Sequence, residues 1–206
     1  MLKRLTPRLA ILLAAAIVVA CGSEQALLMS PRLDGAVPLG IVADTVGAPV
    51  FPVGRERPLA RQESWSFDAG PAGTVVHHPS TGLTITVPPG AVATTTHITV
   101  TALPGAPIAY RFEPHGLQFA VPLQLTQSLR GAKIHDGTLA DAPLLLGYFA
   151  TDRLDTDART GQARVKEILP VLVDVKGQRA ILSIRHFSGY TVASALGGRD
   201  SLDLDR

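Results

Sequence analysis

Between Gly82 and Gln127 each run of alternating apolar and polar residues is cut short by a proline and glycine corner. A chain punctuated in this way forms short strands and tight turns, because neither the period of 3.6 nor the length of a helix is available. Leu83 to Val87 reads Leu-Thr-Ile-Thr-Val, with apolar side chains on one face and threonines on the other. Pro88-Pro89-Gly90 ends it: proline lacks a ladder donor, and glycine takes a positive φ without steric penalty. A second strand is expected over His97 to Leu103. The turn Pro104-Gly105-Ala106-Pro107 leads to Ile108 through Phe112, and Glu113-Pro114-His115-Gly116 leads to Leu117 through Thr126. Taken in order, the run reads as a β meander.

The flanks continue the pattern. Trp65 to Ala69 and Thr74 to His78 are expected as the first two strands, separated by Gly70 to Gly73. Ser128 to Ala142 is rich in turn residues and allows at most a small helix around Thr138 to Asp141. Leu144 to Thr151 is almost continuously apolar, as in a strand buried on both faces, and Asp152 to Arg164 is a polar loop. Glu167 to Val175 and Arg179 to Phe187 form a hairpin around Lys176-Gly177-Gln178, with the glycine expected at positive φ and Pro170 demoting its strand to an edge or bulge. Tyr190 to Ala195 closes the series. With 46% hydrophobic and 17% charged residues there is enough apolar material for one core. The expectation is all-β: a single antiparallel β-sandwich of about eight to ten short strands over residues 64–195.

What precedes the domain concerns its address. Lys3, Arg4 and Arg8 are followed by an apolar run from Leu9 to Ala20, which at twelve residues is short for a membrane span and reads, over residues 1–20, as a signal peptide. Val18-Val19-Ala20-Cys21-Gly22-Ser23 resembles the bacterial lipobox, which implies lipid on the thiol of Cys21 and an outer-membrane destination, with Gly22 after the cysteine, if the cell has two membranes. Cys21 is the single cysteine of the chain, which excludes an intramolecular disulfide and suits acylation. Residues 21–63 carry Pro31, Pro38, Pro49, Pro52 and Pro58 without periodicity and are expected as a flexible tether, with Ala36 to Val46 or Val50 to Val53 as an alternative edge strand. Residues 196–206 are expected as a flexible tail.

Three groups of residues carry a family resemblance. Ile85-Thr86-Val87-Pro88-Pro89-Gly90-Ala91 with Ile98-Thr99-Val100, then Glu113-Pro114-His115-Gly116-Leu117-Gln118-Phe119 with Pro122, and finally His186-Phe187-Ser188-Gly189-Tyr190, resemble the ZU-five domain of zonula occludens protein, uncoordinated netrin receptors and ankyrins. The likeness spans Gly73 to Ser194 and is densest from Leu83 to Thr126. It implies a β-sandwich used for protein contacts. The triplet His186-Phe187-Ser188 also resembles one at which some death-domain adaptors and a nuclear pore protein cut their own backbone. Carried over by position, His186 would be the general base and Ser188 the nucleophile on the Phe187 carbonyl. The alternative is structural, with Phe187 in the core, Ser188 at a bend and the peptide bond intact. This chain lacks the second sandwich and the death domain of those adaptors.

Other chemistry is sparsely supported. Removing Lys3, Arg4 and Arg8 leaves 16 basic residues against 17 acidic ones, no footprint for nucleic acid. Adjacent His77 and His78 on a strand would face opposite ways, so a metal site built with His115, His135 or His186 is not expected. Asp152, Asp155 and Asp157 lack the glycine and distal glutamate of a calcium loop. No cofactor is called for beyond a covalent lipid on Cys21. The functional expectation is a lipid-anchored cell-envelope protein that displays a binding module for another protein or an envelope polymer. The alternatives are self-processing between Phe187 and Ser188, or a secreted hydrolase or metal enzyme.

Overall fold

A computed structural model describes residues 47–135, 137–140 and 143–195. The expected signal peptide, Cys21, the tether up to residue 46 and the tail lie outside the described residues. Fifteen strands follow one another: β1 (Ala48–Pro52), β2 (Gly54–Leu59), β3 (Glu63–Ala69), β4 (Thr74–His78), β5 (Leu83–Val87), β6 (Thr96–Ala102), β7 (Gly105–Pro107) and β8 (Ala109–Glu113) in the first half. The second half holds β9 (Gln118–Ser128), β10 (Ala132–Lys133), β11 (Leu144–Phe149), β12 (Ala163–Val165), β13 (Glu167–Asp174), β14 (Arg179–His186) and β15 (Gly189–Ser194). Among the described residues there is no helix, and Thr138 to Ala140, where a helical turn was expected to begin, is irregular.

Every paired register is antiparallel, and ten strands follow one path, β3-β6-β8-β15-β11-β13-β14-β9-β5-β4. The path folds into two layers because β13 changes partner along its length. Glu167 to Pro170 pair with β11, whereas Val171 to Asp174 pair with β14. Pro170 stands where the ladder passes from one layer to the other, so its missing donor falls at the break. The strand is therefore a corner inside the path and not an edge. The path nearly closes at its ends, where the Trp65 ring of β3 stacks on His78 of β4 at 3.8 Å and Ser80 donates to Glu63 at 2.6 Å.

The expected strands form, but their expected neighbours do not. β5 pairs with β4 and β9, and β8 pairs with β6 and β15, so the run from Gly82 to Gln127 crosses between layers twice and is not a meander. Likewise β3 pairs with β6 and β4 with β5, so the turn Gly70 to Gly73 joins the two layers. Alternation settles which face of a strand is buried and leaves open which strand lies beside it. In the β13–β14 hairpin the positive φ falls on Gln178 (51°) and not on Gly177, whose N–H is bound by Asp174 at 2.8 Å. Gly90 does take the positive φ expected of it, 76°.

Between the layers lie Leu83, Ile85, Val87, Ile98, Val100, Phe112, Leu123, Leu125, Ile184 and Phe187, the inward positions of their strands. β11 is buried on both faces, as its apolar run required: Leu144 and Leu146 face this core, and Leu145 faces a second one. That second core is made by Val50, Ala163, Val165 and Ala193, where β1 and β12 cover the outside of the sheet. Gly147 admits this cover, since a Cβ there would stand 2.6 Å from Val165.

The cover is also where the tether expectation fails. Residues 48–59 are strands, with β1 paired to β12 and β15, and β2 set between β7 and β10 in a three-stranded sheet. Val50 and Val53 are wholly buried. Pro49, Pro52 and Pro58 hid these strands by breaking their period, yet prolines are tolerated where a strand has a side without ladder bonds. An expected consequence is that a fragment of residues 64–195 does not fold as well as one of residues 47–195. Exposing two buried valines removes roughly 3 to 6 kcal/mol, so urea melts should show the shorter fragment unfolding at clearly lower denaturant; coincident midpoints would return residues 47–63 to the status of a tether.

Candidate functional site

His186, Phe187 and Ser188 form the corner at which the chain leaves β14 in one layer and enters β15 in the other. The register against β9 shifts between Ile184 and His186, so the strict alternation that would have put His186 and Ser188 on one face is lost there. Phe187 is wholly buried among aromatic rings, stacked on Phe112 with centroids 5.2 Å apart and edge-on to Phe119 at 4.7 Å. Its N–H donates to Leu117 O at 2.8 Å, and its carbonyl accepts from Gly116 N–H at 3.0 Å. The Ser188 carbonyl accepts from Phe112 N–H at 3.0 Å. The segment Glu113-Pro114-His115-Gly116, with a cis bond between Glu113 and Pro114, thus holds the corner from outside. Gly189 is the first residue of β15 rather than a soft turn, and a Cβ on it would collide with the ring of Phe149.

The hydrogen bonds separate the two residues that the triplet would need together. The Tyr190 hydroxyl donates to the His186 carbonyl at 2.8 Å and lies 3.2 Å from His186 Nδ1. Burial first, and then the nearby Glu167 and Tyr148, push the Tyr190 hydroxyl well above its ordinary range, so it keeps its proton. With that proton on the carbonyl, His186 Nδ1 carries the hydrogen of the other bond. Ser188, wholly buried, donates to Phe149 O at 3.2 Å, and its oxygen also lies 3.2 Å from Nε2 of His115. A hydroxyl has one proton; given to a carbonyl that can only accept, it leaves Ser188 Oγ to accept from His115. The imidazole beside Ser188 is therefore His115, and it stands there as a donor.

The remaining histidines are dispersed. His77 bonds Thr84 at 2.9 Å, His97 bonds Asp68 at 2.8 Å, His78 lies on Trp65, and His135 stacks on Phe51 at 3.7 Å. No group of three or more His, Cys, Asp or Glu side chains able to hold a metal occurs among the described residues. Asp157 accepts from the backbone N–H groups of Arg159 and Thr160, which hold its carboxyl below the usual range, the behaviour of a turn residue.

A second polar constellation lies at one end of the two layers, under β2. The Tyr110 hydroxyl donates to Gln127 Oε1 at 2.7 Å, and Gln127 Nε2 donates to Thr81 O at 2.9 Å and Ser128 O at 2.8 Å. Arg55 of β2 donates to Pro107 O, and its guanidinium carbon stands 5.6 Å from the centre of the Tyr110 ring. Burial pushes the Tyr110 hydroxyl up, against the opposing pull of Arg55. Beside this network opens a cleft of about 370 Å³ lined by Arg55, Arg57, Arg130, Ser80, Thr81 and Ser128, among others. Sequence reasoning missed it, although one signal was present: Gln127 stands in phase with Leu123 and Leu125, a polar residue at an inward position.

No family model matches this chain, and no curated protein matches it.

Three outcomes are expected. The Phe187–Ser188 peptide bond stays intact, so the purified protein gives a single intact mass, and a 19-residue fragment from Ser188 to Arg206 that vanishes in Ser188→Ala would overturn this. Phe187→Ala costs roughly 3 to 5 kcal/mol as a large-to-small core change, and Ser188→Ala distinctly less, both readable in urea melts. With Tyr110 and Tyr190 raised, the favourable neutral state is fully present below pH of about 10. Stability therefore falls as pH rises from there, and it falls less in Tyr110→Phe.

Proposed function

We propose that this chain is a lipid-anchored protein of the bacterial cell envelope that presents a ZU-five-like β-sandwich for contact with another protein or an envelope polymer. The observation that carries the reading is the run Val18-Val19-Ala20-Cys21-Gly22-Ser23 behind a basic and then apolar start, with Cys21 the only thiol in the chain. Small residues before a cysteine suit a lipoprotein signal peptidase, and each buried methylene of the acyl chains adds about 0.8 kcal/mol of membrane affinity. The all-β framework supports the second half of the reading. Its central strands are paired on both sides, and the segment Asp152 to Arg159, pinned by Leu154 against the apolar clusters, exposes its polar side chains, the arrangement in which recognition is carried by loops on a rigid support. The triplet at the corner is engaged in the fold itself, His186 with Tyr190 and Ser188 with Phe149 O, which supports the structural reading of it.

Growth with labelled palmitate tests the anchor. Wild type is expected to incorporate label and to fractionate with membranes, and Cys21→Ala to do neither. Equal, background incorporation by both would end the lipoprotein reading and leave the β-sandwich without an assigned address.

A further inference from the structure

Three arginines meet at the cleft under β2, with Glu56 the one acid on its lining. Arg55 and Arg57 both line it from β2, and Arg130 comes from the turn after β9. No ion pair joins any of the three to a carboxylate among the described residues. The one acid on the lining, Glu56, is exposed and lies against Gly131. Arg55 is the unusual member. One terminal nitrogen serves Pro107 O, and the guanidinium lies over the Tyr110 ring, but Nε and Nη2 have no hydrogen-bond partner and are closed to solvent. Those two nitrogens share the guanidinium edge that pairs side by side with two oxygens of an anion. A cation shut away from water is weakly screened, and its field reaches into the adjoining cleft more strongly than that of an exposed side chain.

The lining matches one class of anion. Ser128 brings a hydroxyl to the same opening as the arginines, whereas Ser80 and Thr81 on the lining already give their protons to Glu63 and to the His78 carbonyl. A carboxylate offers two oxygens and one charge, fewer than this set of donors can use, whereas a phosphate offers three or more oxygens and up to two charges. The cleft, about 370 Å³, is within the range of small-molecule sites. We propose that it binds a phosphate group, with the exposed Arg57 and Arg130 as direct contacts and Arg55 as the inner charge that favours the anion. This does not rest on lipidation of Cys21 and would stand in a chain with another address. The phosphate could belong to a soluble phosphomonoester or to a phospholipid headgroup, which share the chemistry.

Calorimetry and thermal melts of the purified full chain in detergent, with ionic strength matched by sodium chloride, test the site. Inorganic phosphate is expected to bind and to raise the melting temperature where chloride does not. The double variant Arg57→Gln with Arg130→Gln, altered only at exposed side chains, is expected to lose roughly tenfold or more in phosphate affinity while melting like wild type without phosphate. Arg55→Met, which keeps an apolar side chain over Tyr110, is expected to weaken binding as well. Glycerol 3-phosphate and short-chain phosphatidylglycerol below its micelle concentration separate the two sources, tighter binding of the first assigning a soluble phosphoester and of the second a headgroup. Chloride reproducing the effect of phosphate, or the double variant binding as wild type does, would overturn the proposal.

Discussion

The fold hangs on the passage of the chain through Phe187 and Ser188 from one layer to the other. A strand that leaves its sheet abandons ladder bonds, and unpaired backbone groups in a buried corner are costly. Here the Glu113–Gly116 turn and its flanks replace them: Leu117 O, Gly116 N–H and Phe112 N–H take up the corner's N–H and carbonyls. The ring of Phe187 meanwhile fills the space between Phe112 and Phe119. Backbone satisfaction and aromatic packing are thus met by one short segment, which explains why residues so far apart in sequence as Glu113 to Phe119 and His186 to Tyr190 read as marked patterns. They are two sides of one joint.

That joint also shows where the sequence was legible and where it was not. Alternation located β5, β6, β8, β9 and β14 closely, because each has one face toward the same core and the burial pattern imposes the period. Their order in the sheet was illegible, since nothing in Leu-Thr-Ile-Thr-Val says whether the neighbour is the next strand or one forty residues on. β1, foreshadowed only by the alternative strand over Val50 to Val53, and β2, read as tether, were obscure for a different reason. Val50 and Val53 are buried against strands from the far end of the chain, a tertiary fact that prolines on either side conceal locally. At the candidate site, Phe187 in the core could be read from its triplet, but the partner of Ser188 could not. The bulge before His186 rotates the expected base toward Tyr190, and His115 arrives from a segment 73 residues away.

The polar end under β2 obeys a different rule from the rest of the interior. Tyr110, Gln127 and the carbonyls of Thr81 and Ser128 form a closed set in which each donor has an acceptor, so their burial adds specificity to the register of β8 and β9 at little cost. Arg55 is added to this set from outside and is not closed by it. Its stem and ring contact help fix β2 across the end of the layers, while two of its nitrogens remain without a partner. An apolar side chain packed there would bring neither the hydrogen bond to Pro107 O nor the charge.

The position of β15 has a consequence for the order in which the molecule can assemble. The last of the described strands lies between β8 and β11, in the middle of its layer, and it also receives β1, the first of them. Until residues near Ser194 emerge from a ribosome or any other channel, the layer has a gap at its centre, β1 has nothing to pair with beyond β12, and the second core lacks Ala193. Early hairpins can form, but the contacts that would lock them are held back to the end, and pairing over such sequence distances is slow to close. The ladders among β4, β5, β9 and β14 and among β3, β6 and β8 can form before β15 emerges, but the layer that holds it is completed only when that strand is released.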